Sequence, residues 1–496
     1  MKRLMATSTR CHQRWDVKKH IHIFVGLIVI LSLDVSCSPF KPQKRPSSAG
    51  EMPRTFSLYT AKSEPIQRWW QEFNDPDLNA LITEALSDNL TLKEAWSRLN
   101  QAQSLAVQVG APLYPDLTGT VGVSHTRQRS GNGSRKTISN EDYSIGVVSS
   151  YELDLWGRLR SERASALLKV AATREDLNTA AITLAAEVAN RWINIVARRM
   201  QKELLERQLQ TNRTYLELIE LRFRAAMVSA LDVYQQQQIV ESIRAEIPLV
   251  EAQEQLFRHE LALLLGKPPK AALKISRKDL PKPVEIPATG LPADLLSVRP
   301  DLRAAGMRLQ AADWQVAAAR ANRLPAINLT AQASYGGGDV DVIFNNWLIS
   351  LAGNLTAPIF DGKRRAAEVE RRMAIVDENL AVYRQAVLIA IKEVEDALIS
   401  ELKQREHIKR LEIVTETARK ALEEAGIRYR NGLTDYLPVL TQLLTVQRLE
   451  RDLIQKKTNL LNIRIGLYRA LGGTWTESLT FESTTTRKAG GLNFRP

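Results

Sequence analysis

The sequence predicts an α+β membrane protein, internally duplicated, in which β-hairpins lead into very long helices. Three observations carry that class. Four stretches of about ten residues alternate apolar and polar side chains, the period of half-buried strands. Two stretches of about 70 residues, 158–228 and 362–432, keep apolar and alanine residues at spacings of three and four, the period of packed helices. The two halves of the chain also align with one another.

The duplication runs through most of the chain. Thr91–Ser124 aligns with Asp301–Ser334, which brings Pro115 onto Pro325. LWGRLR falls on FDGKRR, with Gly157 on Gly362. RFRAAMVSALDV, Arg222–Val233, falls on RYRNGLTDYLPV, Arg428–Val439, and Gly266 falls on Gly472. The spacing changes mainly between Pro115 and Gly157, in a connection between strands, where loops tolerate a change of length.

The chain has 496 residues, of which 25% are charged, 44% hydrophobic and 6% aromatic, lean in aromatics for a compact enzyme core. The net charge is +13, but charges of both signs mix along the helices and no basic cluster is interleaved with aromatics. That pattern reads as solvated helix faces and argues against a nucleic-acid partner. The only cysteines are Cys11 and Cys37, so no disulfide framework holds the body of the chain. The histidines are scattered, without a zinc-binding spacing, and Gly336–Gly338 is followed by Asp339 rather than a phosphate-binding Lys-Ser/Thr. No cofactor is expected.

Residues 1–20 are basic, and Ile21–Leu33 is an apolar run about one signal-sequence core long, shorter than the roughly 20 residues a membrane-crossing helix needs. The residues that follow, DVSCSPFKPQKRPSS, resemble a bacterial lipoprotein signal. The resemblance implies a signal peptide over 1–36 and a lipidated Cys37 as the first mature residue, with a tether over 37–64. The position three before the cysteine, where such a signal carries Leu, is Asp34.

Each half then reads alike: a helix (79–109 and 291–322), two strands, a long helix, a break, and a shorter helix to Leu265 or Leu471. In the first hairpin, Leu117, Val121 and Val123 oppose Thr118, Thr120, Ser124 and Thr126, and Ile145, Val147 and Tyr151 oppose Ser144 and Ser150. In the second, Leu329, Ala331 and Tyr335 oppose Thr330 and Gln332, and Trp347, Ile349 and Leu351 oppose Ser350 and Asn354. One apolar face with aromatics toward its ends and one polar face is the pattern of a transmembrane β-barrel with a wet interior. Val147, Tyr151, Leu329 and Leu351 are expected to face lipid, and Ser144, Thr330 and Ser350 the lumen. Four strands cannot close a barrel, for which eight is near the minimum. A helix of about 70 residues spans roughly 100 Å and needs similar rods to pack against. Copies of the chain must therefore assemble. Gly157, Pro358 and Gly362 fall where strand turns into helix.

Four stretches carry a family resemblance: Trp69–Ala95, SVRPDLRAAGMRLQAADWQVAAARANRLPAINLTAQAS, APIFDGKRR and RYRNGLTDYLPVL. They resemble the TolC-like outer-membrane efflux family, in its lipoprotein (NodT-type) branch. The likeness divides the mature chain into a first repeat over 65–274, a second over 275–475 and a tail over 476–496. It implies a homotrimer in the outer membrane. Three copies would build a 12-stranded transmembrane β-barrel continuous with a periplasmic α-helical coiled-coil barrel. Function would be that of the exit duct of a tripartite efflux pump, which passively conducts small molecules. The implied partners are outer-membrane lipid, a periplasmic adaptor and an inner-membrane transporter of the resistance-nodulation-division type. The two helix breaks become periplasmic tips, with Ala226, Ser229, Leu231 and Asp232 in the first, and Gly432, Leu433, Thr434 and Leu437 in the second, facing the adaptor. Ordinary helix-turn-helix chemistry would produce the same residue types. Family members carry an acidic ring just after the second tip; here those positions are Pro438 and Thr441. The aperture is therefore expected to rest on packing of Tyr436 and Leu437 and on links from Arg428 or Arg430, with Asp435 the nearest acid. A protein-secretion channel of the same fold, and a periplasmic coiled-coil scaffold without a pore, are the alternatives.

Overall fold

The computed structural model describes residues 40–42, 52–58, 68–129, 137–282, 286–287 and 289–479. The signal segment and Cys37 lie outside the described residues. The chain divides into two compact units, each assembled from separated segments. One is built on Ala106–Ala166 and Ala311–Val376, the other on Arg45–Leu105, Leu167–Gln310 and Asp377–Pro496.

The first unit is organised by a four-stranded antiparallel sheet in the order β1-β2-β3-β4. Its strands are β1 (Asp116–Arg129), β2 (Thr137–Leu153), β3 (Ala326–Gly337) and β4 (Trp347–Thr356). Directly paired residues share a face. The register aligns Leu117, Ser149, Ala331 and Leu351 in one row, and Val121, Ile145, Tyr335 and Trp347 in another. Tyr151 pairs with Leu329 on that same face. Thr118, Val148, Gln332 and Ser350 form a row of the opposite face, as do Asp116, Ser150, Thr330 and Ala352. The alternation read from the sequence holds along all four strands, except that Val148 and Leu348 are apolar on the polar side and Ser149 is polar on the apolar side. Both faces are open to solvent in the single chain: Leu351 is 75% exposed on the apolar face and Leu348 57% on the other. β2 runs six residues earlier than its alternation suggested, because Thr137–Asp142 is polar apart from Ile138 yet completes the ladder to β1. The loop after β3 contains a 3-10 turn, Val340–Asn345, whose Phe344 ring lies edge-on to Tyr335 at 5.7 Å.

Strand passes into helix at two junctions within this unit. Gly157 has φ +75° before α3 (Arg158–Arg224). Asp154 caps that helix, accepting from the backbone N–H of Leu159 at 3.0 Å and of Arg160 at 2.9 Å. Gly362 and Lys363, with φ of +61° and +68°, make the corresponding turn before α7 (Arg364–Arg430). Pro358 lies in this second connection, two residues past β4.

In the second unit, α1 (Pro76–Asp88) starts at Asp75, whose carboxylate accepts from Leu78 N at 2.8 Å, with Pro76 in the first turn. The helix read from sequence over 79–109 is interrupted at Asn89. Its carbonyl oxygen accepts from Leu92 N at 2.9 Å, starting α2 (Leu90–Gly110), and its amide donates to Leu264 O at 2.8 Å. Gly266 closes α4 (Ala230–Leu264) with φ +67°, and a Cβ there would lie 2.6 Å from Asp88 O. The core gathers Trp69, Trp70, Phe73, Leu78 and Ile82 against Leu177–Val196 of α3. In the second half, the stretch read as a helix over 291–322 is a 3-10 turn, a four-residue helix α5 (Leu295–Val298) and α6 (Pro300–Ala321). The segment 52–58 crosses α7 there: Phe56 is buried against Tyr383, Val387 and Val394, and Ser57 N donates to Glu395 at 2.9 Å. The chain then follows α7 to Arg430 and returns along α8 (Tyr436–Leu471).

Reading the charges as solvated faces fails at two places in this unit. Arg464, 1% exposed, donates through Nε to Glu401 at 2.9 Å, and Glu401 is fully buried. Arg299 donates to Asp301, to Glu393 at 2.8 Å and to Ala470 O at 3.0 Å. Such pairs sit inside because two carboxylate oxygens match the guanidinium fork.

Candidate functional site

Two features are candidates for function: the sheet with its two chemically distinct faces, and the paired turns that join α3 to α4 and α7 to α8. The turns lie together in the second unit and are built to one plan. After α3, Ala226 N donates to Phe223 O and Met227 N to Arg222 O, both at 2.9 Å. After α7, Gly432 N donates to Tyr429 O at 3.1 Å and Leu433 N to Arg428 O at 2.9 Å. Each is a double closure around a left-handed residue, satisfying carbonyls the helix leaves open. That residue is Gly432 in one turn, φ +72°, and Ala226 in the other, φ +56°.

The next helices start differently. Ser229 and Asp232 form a reciprocal capping box: Asp232 N donates to Ser229 Oγ at 3.3 Å, and Ser229 N donates to Asp232 Oδ2 at 2.9 Å. Asp435 occupies the corresponding cap of α8 without a side-chain cap bond. Pro438 is the third residue of that helix, where an N–H would have no helical acceptor.

Tyr436 holds the second turn instead. It is 2% exposed, its hydroxyl donates to Gln236 Oε1 at 2.7 Å, and its ring lies 5.4 Å from that of Tyr429. Burial, with Tyr215, Tyr429 and Asp232 nearby, pushes its phenol well above the usual tyrosine value. Ile219, Val439 and Leu440 complete the cluster, and the Arg222 guanidinium lies over the Tyr429 ring at 4.3 Å. The polar contacts continue along the helices. Gln236 Nε2 donates to Asn212 O at 2.9 Å, Asn212 Nδ2 to Gln208 O at 2.7 Å, and Gln208 Nε2 to Gln447 O at 3.1 Å. Sequence reasoning named Tyr436 but missed this chain, because Gln and Asn in a helix read as surface residues.

The other named residues are spread over the turns. Leu231, Leu433 and Leu437 are 62%, 75% and 59% exposed. Ala226, Ser229 and Gly432 are exposed, while Asp232 and Thr434 are half-buried. Arg428 pairs with Glu424 of its own helix at 3.1 Å and Arg430 is exposed, so within one chain neither links to another turn. Among the described residues no group of side chains is placed to hold a metal ion, and no helix is long and apolar enough to cross a membrane.

A sheet polar on one face and apolar on the other, whose edge strands β1 and β4 each have one neighbour among the described residues, has the chemistry of a membrane-channel component. Comparison with known proteins agrees. The outer membrane efflux protein family matches residues 81–267 and again 291–473. The pyoverdine export outer membrane protein OpmQ of Pseudomonas aeruginosa is 35% identical over 420 residues, covering 83% of this chain and 88% of that protein. The toluene efflux pump outer membrane protein TtgF of Pseudomonas putida is 32% identical over 414 residues, covering 82% and 85% respectively. Among solved structures, the outer-membrane channel OprN superposes with a TM-score of 0.80 at 28% identity, covering 89% of this chain and 98% of that one. The outer membrane protein VceC of Vibrio cholerae superposes with a TM-score of 0.77 at 27% identity, covering 83% and 100%. The chain belongs to the outer membrane efflux protein family. It is an outer-membrane exit duct of an efflux pump.

Proposed function

We propose that three copies close their four-stranded sheets, β4 of one against β1 of the next, into a 12-stranded barrel, and that their helices continue it as a periplasmic coiled-coil barrel. The observation that carries this reading is the amphipathic sheet with both edges unpaired. Open edges of such length are a liability that closure removes. The apolar rows would meet lipid and the hydroxyl and amide rows would line water. The two repeats, 65–274 and 275–475, supply equivalent halves of each copy's wall. Cys37, lipidated, would add a second anchor through the tether over 37–64.

The duct supplies no energy. An inner-membrane transporter of the resistance-nodulation-division type, joined through a periplasmic adaptor, would drive cargo into it. The relatives are named for pyoverdine, toluene and solvents. A water-lined passage shared by cargoes that different suits the present chain to small organic molecules chosen upstream. The exposed tip residues Ala226, Leu231, Leu433 and Leu437 form the adaptor-facing set, with Ser229, Asp232, Gly432 and Thr434 setting the shape of the turns. Tyr436 and its cluster hold the aperture narrow; Arg428, Arg430 and Asp435 line its approach.

The test is light scattering of the purified protein in detergent, then single-channel recording in a planar bilayer. Three copies and a conductance that rises when Tyr436 is replaced by Ala are expected. A monomer, or a protein that washes from membranes with carbonate, would sink the reading in favour of a scaffold. Leu231→Asp with Leu433→Asp should abolish efflux in cells while leaving conductance intact; unchanged efflux removes these residues from the adaptor contact.

A further inference from the structure

Ile359 and Phe360, in the connection between β4 and α7, are 97% and 92% exposed, the barest large apolar side chains among the described residues. The equivalent place in the first half is covered by the chain itself. Trp156, between β2 and α3, donates its indole N–H to Pro325 O at 2.7 Å, and Leu155, Trp156 and Pro325 are all half-buried. Pro325 stands at the entry to β3, the strand that pairs with β2.

The duplication maps each half of this contact to a second place. Pro115, at the entry to β1, is the counterpart of Pro325, and Ile359–Asp361 is the counterpart of Asp154–Trp156. Both lie open: Tyr114 is 62% exposed and Pro115 is exposed. They also stand at the two free edges of the sheet, β1 and β4. The chain thus holds one completed copy of the contact and two unmatched halves of another, which cannot meet within a single sheet of this order.

We propose that Ile359 and Phe360 of one copy pack on Tyr114 and Pro115 of the next, forming a latch at the helix end of each seam between copies. The proposal rests on the assembly described above, in which β4 meets β1 of a neighbour. Its chemistry departs from the internal version. Asp361 stands where Trp156 does, and it is engaged at the start of α7, accepting from Arg365 N at 3.3 Å. No indole donor remains, so the latch is apolar and aromatic packing rather than a hydrogen bond.

The test uses the full chain in outer-membrane vesicles. Tyr114→Cys with Phe360→Cys, oxidised with copper phenanthroline, should give a covalent ladder ending at three chains that thiol reverses, and neither single variant should do so. Ile359→Ala with Phe360→Ala should lower the heat-dissociation midpoint of the trimer by several degrees. In a third arm, brominated phospholipid should quench Phe360→Trp no more than it quenches the wild type, whose Trp347 already lies on the apolar face. A native mass other than three copies overturns the assembly itself. A three-copy mass with no ladder and an unchanged dissociation midpoint overturns the latch alone, and quenching of Phe360→Trp by brominated lipid beyond that of the wild type overturns it in favour of a membrane-surface anchor.

Discussion

The turn after α3 and the turn after α7 descend from one duplicated sequence and share the same double closure, yet they are stabilised by different means. The first has a local side-chain cap: its capping box joins Ser229 and Asp232, three residues apart. The second has no side-chain cap and depends on Tyr436 reaching Gln236, 200 residues away in sequence. A locally capped turn keeps its form whatever its neighbours do. A turn held by a distant side chain is released when that neighbour moves. The difference predicts that the α7–α8 turn loosens before the α3–α4 turn.

Five substitutions would break or sharpen that contrast. Tyr436→Ala should have the largest effect, since removing a buried aromatic ring costs about 3–5 kcal/mol. Hydrogen exchange should then speed along 429–443 while 222–236 keeps its protection; equal loss in both turns would end the distinction. Tyr436→Phe keeps the ring but leaves Gln236 Oε1 without its donor, a loss of about 1–3 kcal/mol. The same variant tests the phenol. Its pKa is raised above the ordinary 10.0, mainly by burial. The unfolded chain therefore releases this proton first as pH rises, and the turn's stability is whole below the ordinary value and declines above it. Thermal unfolding at increasingly alkaline pH should weaken the wild type more than Tyr436→Phe, and parallel curves would refute this.

Ser229→Ala should cost about 1 kcal/mol, the worth of an N-cap, and should leave closed-channel leak unchanged. A leak comparable to that of Tyr436→Ala would show that the first turn moves as well. The smallest effect is expected from Ala226→Gly. Relief of the left-handed strain, about 1–2 kcal/mol, is partly offset by the greater entropy lost on ordering glycine. A slight rise in protection at Met227 and Val228 is expected, and Gly432→Ala should do the reverse at Leu433.

What was legible in the sequence follows from periodicity. The two faces of the sheet were readable because Val121, Ile145, Ala333 and Leu351 alternate with Thr120, Ser144, Thr330 and Ser350. The beginning of β2 was not, since Thr137–Asp142 has a single apolar residue, Ile138, and so gives no alternation, yet it pairs with β1. The turns were readable from Gly432 and from Ser229 with Asp232. The link between them was not: neither Tyr436 nor Gln236 announces a partner so far along the chain. Asn89 was passed over inside a helical pattern, although its side chain both begins α2 and fastens it to the end of α4. Arg464 and Glu401 were taken for surface charges because pairing, which makes their burial tolerable, is a property of the fold.

β2 closes against β3 through pairs such as Leu153 with Ile327 and Tyr143 with Gly337. A chain exported from its N-terminus therefore presents the far edge of its first hairpin long before the matching strand has crossed the inner membrane. During that interval the hairpin has unpaired backbone and a solvent-facing apolar side, the properties that drive strands to aggregate. Closing a loop of such length adds little to the free energy but slows the search for the partner. The interval is set by the speed of translocation, so yield in the envelope should track how fast the second half arrives and how well a holding chaperone guards the first.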